Sequence, residues 1–107
     1  MGFIGRCYGE TTPSRVSFVS RDMPRVGEYV VMEYDGRRVL EMIESLLRGI
    51  PGVTEELNDP ETVERIIRVT GGRQYVCGTV RILGDVETLE IPRVPPRPGT
   101  EVRSAGS

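Results

Sequence analysis

Residues 27–46 read Gly27-Glu28-Tyr29-Val30-Val31-Met32-Glu33-Tyr34-Asp35-Gly36-Arg37-Arg38-Val39-Leu40-Glu41-Met42-Ile43-Glu44-Ser45-Leu46, and this stretch decides the fold. Asp35-Gly36 sits between two β-rich segments. That is the strongest short hairpin signal, because a type I′ turn needs positive φ at both central positions. The dense apolar run Tyr29-Val30-Val31-Met32 fits a strand buried on both faces. After the turn, Arg37 to Leu46 alternates, with Leu40 and Met42 on one face and Val39 and Ile43 on the other. Glu41 and Glu44 weaken the strand pattern there, and the segment could turn helical toward Leu47.

Working outward, Phe3 to Glu10 reads as a strand ending at the polar corner Glu10-Thr11-Thr12-Pro13. Ser14 to Arg21 is a second, with Val16 and Phe18 inward, Arg15, Ser17 and Arg21 outward, and Val19 breaking the alternation. Asp22-Met23-Pro24-Arg25 makes a loop, since proline cannot donate to a central ladder. Beyond the hairpin, Arg48-Gly49-Ile50-Pro51-Gly52 is a Gly/Pro loop. Asn58-Asp59-Pro60-Glu61 is a helix start: a capping side chain, proline in the first turn, and an acid at the positive helix end. Val63, Ile66 and Ile67 follow at helical spacing to about Arg68, and Gly71-Gly72 stops the helix. Gln74 to Gly84 is a long strand with bend points at Gly78 and Gly84, and Glu87 to Val94 reads as another. The prolines at 92, 95, 96 and 98 then stiffen a tail, within which Thr100 to Arg103 is either a last short strand or linker. The pattern predicts a mainly β fold: a small closed antiparallel barrel of six to seven strands over residues 1–94, with a loop-and-helix insertion at 47–73 and a proline-rich linker over 95–107.

Composition excludes more than it proposes. The 107 residues make one domain and include 37% hydrophobic and 28% charged side chains, too apolar for disorder. No histidine is present, which removes an imidazole base and the triads built on one. All 14 basic residues are arginine, so there is no P-loop lysine and no Schiff base. Two cysteines, Cys7 and Cys77, are too few for a structural zinc site. Both lie in apolar runs and read as free buried thiols, although neighbouring strands could pair them. Catalytic, metal and cofactor sites are therefore all expected to be absent. The net charge of −2 argues against autonomous DNA binding. No run reaches the roughly 20 apolar residues of a membrane span, and no signal peptide opens the chain, so a cytoplasmic protein is expected. Scarce amides and arginine usage fit a heat-adapted source, as codon bias also would.

Several side chains invite a functional reading beside a plainer one. Glu41 with Glu44, or Glu55 with Glu56, could suggest acid/base chemistry but read better as solvated faces. Arg6, Arg15, Arg37, Arg38 and Arg81 could follow phosphates; ion-paired surface arginines account for them more simply. Tyr8, Phe18, Tyr29 and Tyr34 could stack bases, as in a free-standing oligonucleotide-binding barrel, although strand aromatics are usually core. Partner contacts are expected on exposed turns held by the scaffold: Asp35, Gly36 and Arg37 at the hairpin, and Gly49, Ile50, Pro51 and Gly52 at the Gly/Pro loop.

The runs Ile4-Gly5-Arg6, Gly9 to Ser14, Pro24 to Val31, Tyr34-Asp35-Gly36 and Val39-Leu40 resemble, in order and spacing, the N-terminal region of archaeal HerA-type DNA translocases. Pro92 to Val102 resembles the junction leading from that region into the family's ATPase core. The resemblance implies a HAS barrel, shared in shape with the N-terminal barrels of rotary ATP synthase subunits. It also implies a place in the crown of a hexameric ring that docks a NurA-type nuclease for DNA end resection. Double-stranded DNA would then be met only indirectly, through the parent ring. With the RecA-like motor and its Walker motifs missing, the fragment itself is expected to be a monomer or weak oligomer without catalysis.

Overall fold

The computed structural model describes residues 2–20, 22–51, 53 and 59–106. Seven elements follow one another: β1 (Phe3–Cys7), β2 (Arg15–Ser20), β3 (Tyr29–Tyr34), β4 (Arg37–Gly49), α1 (Pro60–Thr70), β5 (Tyr75–Asp85) and β6 (Glu101–Ser104). The strands close into a six-stranded barrel in the order β1-β2-β5-β4-β3-β6, antiparallel at every seam. Asp35 and Gly36 both take positive φ, 53° and 69°, as the type I′ turn between β3 and β4 requires.

Alternation along each strand fills the interior. Val16 and Phe18 from β2, Val30 and Met32 from β3, Val39 and Ile43 from β4, and Val80 and Ile82 from β5 meet Ile4, Cys7 and Val102 in one cluster. Burying each such Val, Ile, Met or Phe side chain contributes about 1.5–3 kcal/mol relative to leaving it in water. Glycine permits the tightest seams. A Cβ at Gly5 would collide with the Val19 carbonyl on β2, and one at Gly78 with the Ser45 carbonyl on β4. Two irregularities bend the long β4–β5 pair, one at Leu83 beside Gly84 and one at Glu44.

The structure corrects three expectations about boundaries. Glu87 to Val94 is not a strand: the Asp85 carboxylate accepts the Glu87 and Thr88 amides at 2.7 and 3.1 Å, turning the chain away, and Pro92 lacks a donor. The sixth strand lies instead within the tail. Its register pairs Arg103 with Phe3 on one side and with Val31 on the other. Residues 95–107 thus contain a barrel strand rather than forming a linker throughout, and the barrel runs past residue 94 to Ser104. The insertion likewise starts after Gly49 rather than at residue 47, because β4 stays paired with β5 as far as Gly49↔Tyr75.

Helix α1 is built by local rules. The Asp59 carboxylate accepts the Thr62 amide at 3.2 Å, Pro60 opens the first turn, and Gly71 ends the helix at φ 71°. None of its residues is fully buried. The Cα radius of gyration, 15.8 Å, exceeds the roughly 13 Å of a compact domain this long. The excess belongs with the β4–β5 hairpin and the helix it carries.

Because β6 supplies two seams, removing residues 95–107 should abolish cooperative unfolding in chemical denaturation followed by circular dichroism. Removing only 106–107 should leave the midpoint within error. A sharp transition in the longer truncation would show that the barrel closes without β6.

Candidate docking surface

One mouth of the barrel is bounded by the C-terminal ends of β1, β3 and β5 and the starts of β2, β4 and β6. The proline-rich tail crosses it. Pro96 is buried, its carbonyl accepting the Thr11 hydroxyl at 2.6 Å. The Cys7 thiol donates to the Arg97 carbonyl at 3.1 Å, and the Gly99 amide to the Cys7 carbonyl at 2.8 Å. The mouth is therefore plugged by backbone and proline ring rather than left as a pore.

Beside the plug, residues 86–94 form a loop that displays apolar side chains. The Leu89 amide donates to the Asp85 carbonyl, and the Asp85 amide to the Glu90 carbonyl, which closes the loop on itself. Leu89 sits at φ 64°, a conformation that non-glycine residues adopt at a cost of about 1–3 kcal/mol, and its side chain is 80% exposed. Ile91 and Val94 are 58% and 57% exposed. A groove of about 500 Å³ runs between this loop and the hairpin turn, lined by Tyr34, Asp35, Arg37 and residues 90–94. Leu89 is thus a strained, exposed leucine beside a groove with both charge signs on its walls.

The two groups of residues expected to meet partners are not brought together. Asp35, Gly36 and Arg37 lie at this mouth, where Arg37 Nε stands 3.9 Å from the Asp85 carboxylate. Gly49 ends β4, with Ile50 and Pro51 just after it, roughly 40 Å of strand away at about 3.3 Å per residue. Gly52 falls outside the described residues. The exposed trio Leu89, Ile91 and Val94 was hidden by reading that stretch as a strand. Leucine and isoleucine flanking Glu90 immediately before Pro92 were the available signal.

Inside the barrel, Glu41 is the one charged-type residue with no exposed surface among the described residues. The solvated face expected for it is wrong: alternation puts it inward with Val39 and Ile43, facing Val30 and Ile82 across the neighbouring seams. Its carboxyl oxygens and the Tyr34 hydroxyl are buried with no hydrogen-bond partner among the described residues. Burial raises Glu41 to a pKa of about 8, and burial followed by the nearby Glu41 charge raises Tyr34 as well. Glu41 is thus a neutral acid in the core at neutral pH. Among the described residues, no group of three or more His, Cys, Asp or Glu could hold a metal.

Glu55 and Glu56 fall outside the described residues. Arg15 clasps Glu44 through two hydrogen bonds, of 2.9 and 3.3 Å, and these hold the Glu44 carboxyl below its usual range. Arg6 lies 3.8 Å from Glu101. Phe18 is core, Tyr34 packs against the core, and the exposed Tyr8 and Tyr29 sit at opposite mouths, so these four aromatics do not form one stacking platform. Cys7 and Cys77 are both free, with β2 between their strands. No helix among the described residues is long and apolar enough to cross a membrane.

The profile of the HAS barrel domain matches residues 4–88. The chain is 34% identical, over 95% of its length, to a probable helicase of Methanocaldococcus jannaschii. It is 32% and 34% identical, over the same share, to the DNA double-strand break repair helicases HerA of Saccharolobus solfataricus and Sulfurisphaera tokodaii. It spans 21% of the length of each of these relatives.

Glu41 makes stability depend on pH with a defined sign. Its folded pKa of about 8 lies above the ordinary 4.5, so stability is full below about pH 4.5, falls as pH rises toward 8, and then levels. The slope in that window should approach 1.4 kcal/mol per pH unit. Glu44 and Asp85, both held low, act oppositely and only on the acid side. Urea denaturation at pH 5, 7 and 9 should show the loss in the wild-type chain and a nearly flat profile for Glu41→Gln. Parallel profiles for the two proteins would place Glu41 in contact with water.

Proposed function

Because the chain belongs to the HAS barrel domain family, we propose that it is the non-catalytic assembly and docking domain of a HerA-type, ATP-driven DNA translocase. In this reading the parent protein forms a hexameric ring in the cytoplasm and acts in DNA end resection. The barrel helps to assemble that ring and docks a NurA-type nuclease. The observation that carries the docking role is the plugged mouth with its strained, exposed Leu89 beside Ile91 and Val94. A surface of this kind costs stability in the isolated domain, and a protein partner that covers it supplies the compensation.

Double-stranded DNA is handled by the ring as a whole. The arginines of the barrel wall are largely spoken for by Glu44, Asp85 and Glu101, and the net charge of −2 adds no phosphate attraction. Ring assembly relies on weak barrel contacts repeated around a symmetry axis, where each added contact gains from those already made. The fragment should accordingly be a monomer or weak oligomer at micromolar concentration by light scattering, and a stable hexamer would contradict that part.

Calorimetric titration of the parent translocase with its cognate nuclease tests the docking role. Leu89→Asp and Ile91→Asp together should weaken binding at least tenfold while leaving the barrel's unfolding midpoint nearly unchanged. Undiminished affinity in that variant would remove this mouth from the nuclease interface. The competing oligonucleotide-binding role predicts salt-dependent binding of short single strands tighter than micromolar, measured by fluorescence anisotropy, and the dispersed tyrosines predict none.

A further inference from the structure

The mouth opposite the plug gathers features that the docking role leaves unused. The chain ends there: the Ser104 amide donates to the Gly2 carbonyl at 2.9 Å, and the Ala105 amide to the Tyr29 carbonyl at 3.1 Å, so whatever follows residue 106 leaves beside the start of β3. At the same end β4 overruns β3. Main-chain bonds link Ile43 to Gly27 and Glu28, and from Glu44 to Gly49 β4 has no β3 partner. Six residues of strand cover roughly 20 Å at about 3.3 Å each, and they lead to the insertion that carries α1.

The outer face of this arm carries the hydrogen-bonded Ser45–Thr79 pair, the buried Cys77 and the exposed Leu47. Val19, Cys77 and Leu47 lie in one cross-strand row on the outer wall, with Leu47 53% exposed. On α1, Ile67 is exposed and Val69 is 87% exposed. The helix buries no residue fully and has no ladder or ion pair to the barrel among the described residues. Its own ion pair, Arg68 to Glu64 at 2.8 Å, is internal to the helix. An 11-residue helix is marginal in water without a packed face, since most helical stability in proteins comes from tertiary contact.

We infer that the arm, through Leu47 and the Ile67 face of α1, packs against the body of protein that follows residue 107 in the parent translocase. The inference rests on the proposed parent protein, and two observations select this occupant over others. The relatives that match this chain are about five times its length, it being 21% of theirs, so a large body must be accommodated. The exit of the chain and the arm share one mouth, so a following domain is delivered to the arm by its covalent connection and needs no search.

Hydrogen–deuterium exchange of α1 amides decides the matter, comparing the 107-residue chain with the full-length parent. Packing against the following domain predicts at least tenfold slower exchange across Val63–Thr70 in the parent without nuclease. Ile67→Asp should return that exchange to the rate of the fragment, whose unfolding midpoint the substitution should not move. Equal exchange in fragment and parent overturns the inference. So does protection that appears in the fragment on raising its concentration, which assigns the surface to a second copy, or protection that appears only when nuclease is added. A reading frame that stops after Ser107 defeats the proposed parent protein instead, a result distinguishable from all of these.

Discussion

Closure of the sheet by β6 is the constraint on which the rest depends. Four residues, Glu101 to Ser104, join β1 to β3 and remove the two free edges that a five-stranded sheet would expose. Only then does the inward set from Ile4 to Val102 enclose one core, and only then does the tail have a fixed path over the mouth. Pro96, Arg97 and Gly99 are held where Thr11 and Cys7 can bond them because β6 anchors the tail just beyond. The plugged mouth and the displayed loop beside it are consequences of that one short strand.

How much of this was legible from the residues depends on how local each signal was. The β3–β4 hairpin, the inward Val16 and Phe18, and the capped helix were all readable, because turn chemistry, period-two alternation and end-capping act within a few residues. β6 was left open as strand or linker. It carries a single apolar residue, Val102, and is a strand because of partners nearly the whole chain length away, which no local pattern records. The 87–94 stretch misled in the opposite direction. Its alternating apolar residues suit a strand, but Asp85 spends its carboxylate on turning the backbone, and the barrel has no gap left to fill.

Glu41 was misjudged by type and would have been found by position. The same alternation that sends Val39 and Ile43 inward sends the residue between them inward too. A carboxyl without a partner is tolerable there only as the neutral acid, which is what burial among Val30, Ile82 and Tyr34 enforces. Its lack of hydrogen-bond partners separates it from the carboxylates Glu44 and Asp85, which arginine and backbone amides hold below the usual range.

The placement of the termini also has a mechanical side. The start of β1 and the end of β6 lie next to each other in an antiparallel pair, with Gly2 bonded to Ser104. Tension that separates the two ends of the barrel loads these bonds one after another, in the manner of a zipper, and not all together as in a sheared pair. A moving ATPase attached at that point would find the seam easy to peel under a direct pull. A second attachment through the arm would share the load across β4 and β5, the longest pair of strands in the barrel.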